Sequence, residues 1–159
     1  MATLSGGEKF EAAIREIASN LESGATLNVG FLEGALYPDG KPVAMIAAIN
    51  EYGAPSRNIP PRPFFRTMIA KKSGEWPDAI SGLLKRTDYN VDETLRVTGE
   101  AIQGQLIDSI ENGGWIPNKP STLARKHGEQ PLIDTGTMIN SVRYEIVKLG
   151  DATAPLTTT

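Results

Sequence analysis

The sequence predicts an α+β domain: several helices packed on a small, mainly antiparallel β-sheet, with a proline-rich extended arm. Three observations predict it. Apolar residues recur at three- and four-residue steps through 8–21 and 91–112, the period of a helix with one buried stripe. Leu27, Val29 and Phe31, and later Val142, Tyr144 and Ile146, alternate with small or polar residues as half-buried strands do. The chain has 159 residues, the size of one ordinary domain. We assign that domain to residues 1–150 and a flexible tail to 151–159.

The elements follow in order. Ser5 precedes Glu8 at the spacing of a capping box, so a helix starts there. It carries Phe10, Ala13, Ile14, Ile17 and Leu21 on one stripe and stops at Gly24. A strand near 26–33 comes next, then a turn at Tyr37-Pro38-Asp39-Gly40, where Pro fixes one dihedral and Gly accepts positive φ. Residues 42–49 form a short, nearly all-apolar helix, expected to be buried, with Gly53 suited to ending it. Between Gly53 and Pro63 four prolines make a stiff, extended connector. Helical patterns resume with Phe64, Phe65, Met68 and Ile69, and again from Pro77 with Ile80, Leu83 and Leu84. The clearest helix, 91–112, has Leu95, Gly99, Ile102, Leu106 and Ile110 on its stripe. Gly99 and Gly104 cost it about 1 kcal/mol each, which points to close approach of another backbone. A short helix from Ser121, capped by Ser or Thr, a turn at 131–136 and a final strand near 142–148 complete the chain.

Composition limits the chemistry. Hydrophobic residues at 40% and charged residues at 22% supply a modest core, and aromatics at 6% make that core mostly aliphatic. With no cysteine there is no disulfide framework, Cys-based zinc site or thiol nucleophile. A single histidine, His127, sits in an exposed-looking Arg-Lys-His-Gly-Glu context and makes a multi-His metal centre untenable. No cofactor is implied. The first residues show no basic-then-apolar leader and no stretch is long enough to cross a membrane, so the expectation is a soluble protein made inside the cell. The net charge of -3 is a sum of blocks. Residues 1–56, 57–86, 87–114 and 115–148 carry -4, +5, -5 and +2. Such blocks are either adjacent solvated faces or complementary surfaces for identical neighbours.

Three groups of residues carry candidate chemistry. Leu132-Ile133-Asp134-Thr135-Gly136 looks like the aspartic-protease triplet, whose two aspartates share a proton. The favoured reading is structural, with Asp134 or Thr135 capping a short helix that holds Met138 and Ile139. Carboxylates along 91–112, such as Glu93 with Glu100, read as the solvated side of an amphipathic helix. Arg57, Arg62, Arg66, Lys71 and Lys72, with Phe64 and Phe65, have the composition of a nucleic-acid surface, although a hydrophobic anchor explains the two aromatics equally well.

Three stretches taken together carry a resemblance. They are Ile46-Ala47-Ala48-Ile49-Asn50-Glu51-Tyr52-Gly53, then Ile59-Pro60-Pro61-Arg62-Pro63-Phe64-Phe65-Arg66, then Pro131-Leu132-Ile133-Asp134-Thr135-Gly136 with Met138, Ser141 and Val142. In order and spacing, over about residues 26–147, the chain resembles the neck or tail-completion (tail-component) family of long-tailed bacteriophages and prophages. The resemblance implies a non-enzymatic virion protein at the head–tail junction, made in the host cytoplasm. It would form a homo-oligomeric ring around the DNA channel, joining the connector or head-completion protein to the tail terminator. Carried over by position, Glu51, Tyr52, Gly53, Pro61, Arg62, Pro63, Phe64, Phe65 and Arg66 are the expected contacts. Arg57, Lys71 and Lys72 are expected to meet packaged DNA without sequence preference. A tail-terminator or head-closure role is the nearest alternative; a DNA-binding module and an aspartic-type hydrolase are more distant ones.

Overall fold

A computed structural model describes residues 7–22, 24–126 and 129–148. Helix α1 spans Gly7–Glu22, strand β1 Ala25–Phe31 and helix α2 Val43–Tyr52. After a 3-10 turn at Pro55–Arg57 come α3, Phe64–Lys72, a second 3-10 turn at Ser73–Glu75, and α4, Trp76–Arg86. The long α5 covers Val91–Asn112; two single-turn helices, α6 at Pro120–Leu123 and α7 at Thr137–Asn140, precede β2, Val142–Lys148. The strands pair antiparallel from Ala25 opposite Lys148 to Phe31 opposite Val142. The α+β reading therefore holds.

α5 organises the domain. It packs against both strands and against α3 and α4. Its start is set by Asn90, whose Oδ1 accepts from the Glu93 amide at 3.0 Å, the N-cap arrangement that satisfies an orphan donor. The predicted stripe faces inward: Gly99, Leu106 and Ile110 are buried and Leu95 and Ile102 half-buried. Val43, Phe64, Leu106, Ile110 and Val142 are the largest fully buried side chains, so the core is aliphatic around one phenylalanine. Phe31 meets Phe64 edge to face, with ring centroids 6.2 Å apart, a favoured aromatic geometry.

The two helix glycines behave differently. A Cβ on Gly99 would stand 2.6 Å from the Tyr144 ring and 3.1 Å from a Leu27 methyl, so this glycine admits the strand side chains onto α5. What approaches is a ring, whereas the sequence pointed to a backbone. Gly104 has nothing within 4 Å of such an atom and serves no close approach.

Several local expectations need correction. α2 is buried along Val43, Ala47 and Glu51 only, and Ala44, Met45, Ala48 and Tyr52 are exposed. The connector is not extended throughout: Pro55–Arg57 forms a 3-10 turn and Ala54 bridges back to Ile59, because the left-handed Asn58 reverses the chain. Neither Asp134 nor Thr135 caps α7. The cap position is Gly136 at φ 77, without a side-chain bond, and Thr135 Oγ1 instead meets Thr137 Oγ1 at 2.7 Å. α6 likewise starts after Lys119 with Pro120 in its first turn and no side-chain cap. Ser5, His127 and the 151–159 tail lie outside the described residues.

Candidate functional site

The site is built from a clamp and a cleft that share one segment, 59–66. Pro63 occupies the cap position of α3 and offers no side-chain acceptor. Glu51, from the last turn of α2, takes that role from outside the helix. Its Oε2 accepts from the Phe65 amide at 2.9 Å and its Oε1 from the Arg66 amide at 3.2 Å. A carboxylate at a helix N-terminus is doubly favoured, by the free amides and by the helix dipole. Arg66 closes the clamp, donating from Nε to Glu51 Oε1 at 2.8 Å and from Nη2 to the Glu51 carbonyl at 3.2 Å. Its guanidinium stands 4.8 Å from the centre of the exposed Tyr52 ring, within cation–π range.

Gly53 lets the clamp form. It adopts φ 75, and a Cβ there would lie 2.8 Å from the Pro61 nitrogen and 2.9 Å from the Ile59 carbonyl. Any side chain would clash with backbone in a conformation already unfavourable for L-residues. Pro60 and Pro61 therefore pass directly over the end of α2, and the Arg62 amide donates to the Asn50 carbonyl at 2.7 Å.

Arg62 then turns into an open cleft of about 780 Å³. The cleft is walled by the 37–41 turn, Ile46 and Asn50 of α2, the 57–62 segment, and the loops at 116–126 and 131–138. Arg62 is only 4% exposed. Its Nε donates to the Ile116 carbonyl at 2.9 Å and its Nη2 to Asn118 Oδ1 at 3.0 Å. Asn118 passes the tether on to the Pro131 carbonyl at 3.3 Å. Both acceptors are neutral, and among the described residues no carboxylate pairs with this guanidinium. Burial holds its pKa below the ordinary arginine value, yet an arginine stays charged at neutral pH.

The cleft is basic. Lys41, Arg57, Arg62, Lys119, Arg125 and Lys126 line it against Asp39 and Asp134, and Lys41 is already paired with Asp39. Lys126 donates to the Gln130 and Pro131 carbonyls. Burial lowers its pKa, the Asp134 charge opposes that, and nearby Arg62 lowers it further. The half-buried Tyr37 hydroxyl is shifted upward, first by burial and then by the carboxylates of Asp134 and Asp39. Ile46, Ile59, Ile116, Leu132 and Met138 give the same cleft an apolar floor. Ile116 is 54% exposed.

Compared with protein-family models, with curated proteins and with solved structures, the chain matches none of them.

The expected contact residues divide accordingly. Glu51 and Phe64, 5% and 1% exposed, serve the inside of the protomer, as does Gly53 through its backbone. Phe65 packs partly against the core and Pro63 is half-buried, whereas Tyr52, Pro61 and Arg66 are exposed. Arg62 faces the cleft. The three DNA-channel candidates do not form one patch: Arg57 lines the cleft, and Lys71 and Lys72 line a separate small hollow beside Asp108 and Asn112 of α5. Sequence reasoning missed Tyr37, Lys119 and Lys126 as members of the site. The Ile-Pro-Asn-Lys-Pro run at 116–120, a second proline-punctuated basic segment, was the available signal.

Proposed function

We propose that this chain is a structural subunit of a phage head–tail junction, self-associating into a ring around the DNA channel and joining connector to tail without catalysing a reaction. The observation that supports the reading best is convergence. The three stretches that carry the family resemblance meet in one place: Glu51 caps the Phe64 helix, Gly53 gives passage to Pro61, and Arg62 and Asp134–Gly136 open onto a single cleft. A rigid clamp bearing a cleft in which six basic side chains face two acidic ones is the equipment of a docking module, because a preformed surface loses little entropy on binding.

The charge blocks support it further. Arg57, Lys71, Lys85 and Arg86 have no ion pair among the described residues, and the acidic side chains of α5 pair chiefly with Arg96 and Lys148. Local pairing thus leaves the +5 block largely open to neighbours. Contact of its basic side chains with packaged DNA belongs to the same proposal, as does a location in the virion at the head–tail junction after assembly in the host cytoplasm.

Particles assembled without this protein test the reading. Filled heads and finished tails that fail to join are the expected products. Tails of uncontrolled length would assign it instead as a terminator, and heads that leak DNA as a head-closure protein. Normal infectious particles would overturn all three.

A further inference from the structure

We infer that the basic cleft receives helix α1 of a second copy of this chain. The inference rests on the self-associating reading above and gives its interface two defined faces. The first face is the cleft. A guanidinium that is 4% exposed and, among the described residues, bonded only to neutral acceptors is costly to keep without a counter-charge, and Arg57 and Lys119 of the same cleft have no ion pair among the described residues. Among the described residues no carboxylate lies within ion-pair distance of the guanidinium, which leaves room for an anion from a neighbouring molecule. The apolar floor around Ile59 and Ile116 calls for apolar side chains on the same partner.

α1 has both. Its sequence holds Glu8, Glu11, Glu16 and Glu22 against Lys9 and Arg15, and Phe10, Ala13, Ile14, Ile17 and Leu21 fall on one stripe at helical spacing. Of the stripe residues whose burial is described, Ala13 is exposed, Ile14 is 49% exposed and Ile17 half-buried, so the protomer leaves the middle of the stripe largely uncovered. An amphipathic helix lying in a groove, apolar side down and carboxylates toward flanking cations, is a recurrent recognition mode.

The topology favours a second copy over the helix's own protomer. α1 leads into β1 at Ala25, whereas the cleft is walled by segments that follow Phe31 and precede Val142, the pair at the other end of the two strands, about 20 Å along the sheet. Helix and cleft are different surfaces, so each copy gives one and offers the other. Such a heterologous contact propagates around a ring.

Cysteine pairing tests this directly, because the chain contains no cysteine of its own. Ala13→Cys and Lys119→Cys, both at exposed positions, are mixed as separate full-length proteins and oxidised, and the disulfide-linked dimers are resolved without reductant. The expected result is a mixed dimer in clear excess over the proportion that random collision gives, since the bond forms only between neighbouring Cβ atoms. In sedimentation, Ile14→Glu weakens self-association about tenfold or more at unchanged melting temperature. A mixed dimer at the random proportion, or a cross-linked monomer from the doubly substituted chain, overturns the inference. Rings formed normally by Ile14→Glu overturn it too and leave the junction reading standing. A chain that neither self-associates nor cross-links also overturns it, and the junction reading is then decided separately by whether connector and tails bind the chain.

Discussion

Glu51 and Arg62 are the two buried charged residues of the protomer among the described residues, 5% and 4% exposed, and they are compensated in opposite ways. Glu51 has everything it needs within reach: two α3 amides, the Arg66 guanidinium and a helix dipole of the right sign. Arg62, eleven positions on, has two neutral acceptors and a cleft. The difference separates a buried charge that builds the fold from one that is held for something else. A capping carboxylate replaces water with better-oriented donors, so its charge is used up locally. A guanidinium bonded only to neutral oxygens retains most of its charge, and its burial strengthens the field it offers a ligand.

The largest expected effect tests the first member of the pair. Glu51→Ala removes the cap of α3 and the Arg66 anchor together and is expected to cost about 3 kcal/mol, read by denaturant unfolding. Glu51→Gln recovers part of this, since an amide oxygen still accepts from one of the α3 amides. Arg62→Met comes next and sharpens the contrast. Met removes a buried charge but also takes the donors from the Ile116 carbonyl and Asn118 Oδ1, so a loss of about 1 to 2 kcal/mol is expected, while self-association falls. A loss as large as that of Glu51→Ala would break the comparison, because Arg62 would then also be a device of the fold.

The smallest effect concerns the cleft's acidic side. Asp134 is not the cap of α7, so Asp134→Asn removes no helix cap. It has a spectroscopic signature instead. Tyr37 holds its proton above the ordinary tyrosine range through burial first and Asp134 second. Tyrosinate absorbance, taken as the difference from Tyr37→Phe, is expected to show the Tyr37 pKa lowered in Asp134→Asn but still raised. The sign for stability follows: with a folded pKa above the unfolded value, the Tyr37 contribution is complete below about pH 10 and is lost as pH rises through the folded pKa. Tyr37→Phe is therefore expected to flatten the alkaline limb of a stability-versus-pH curve.

Much of the architecture was legible in the sequence. The α5 stripe, the alternation of both strands and the Tyr37–Gly40 turn, closed by the Gly40 amide on the Tyr37 carbonyl at 2.9 Å, are all written within a few residues of where they act. The failures were local as well as distant. Four prolines argued for an extended arm, but a left-handed Asn58 folds it back. An Asp-Thr-Gly run argued for a side-chain cap, but the positive φ of Gly136 starts α7 without one.

What the sequence determined by itself was therefore most of the elements and, for α5 and the two strands, the side that turns inward, because periodicity and backbone preference act between near neighbours. Only the tertiary structure decided that Glu51 caps a helix beginning thirteen residues later, and that Arg62 shares a cleft with loops more than fifty positions away. Those pairings depend on the angles at which α2 and α3 meet and on the space α5 leaves beside them. No spacing along the chain encodes either quantity.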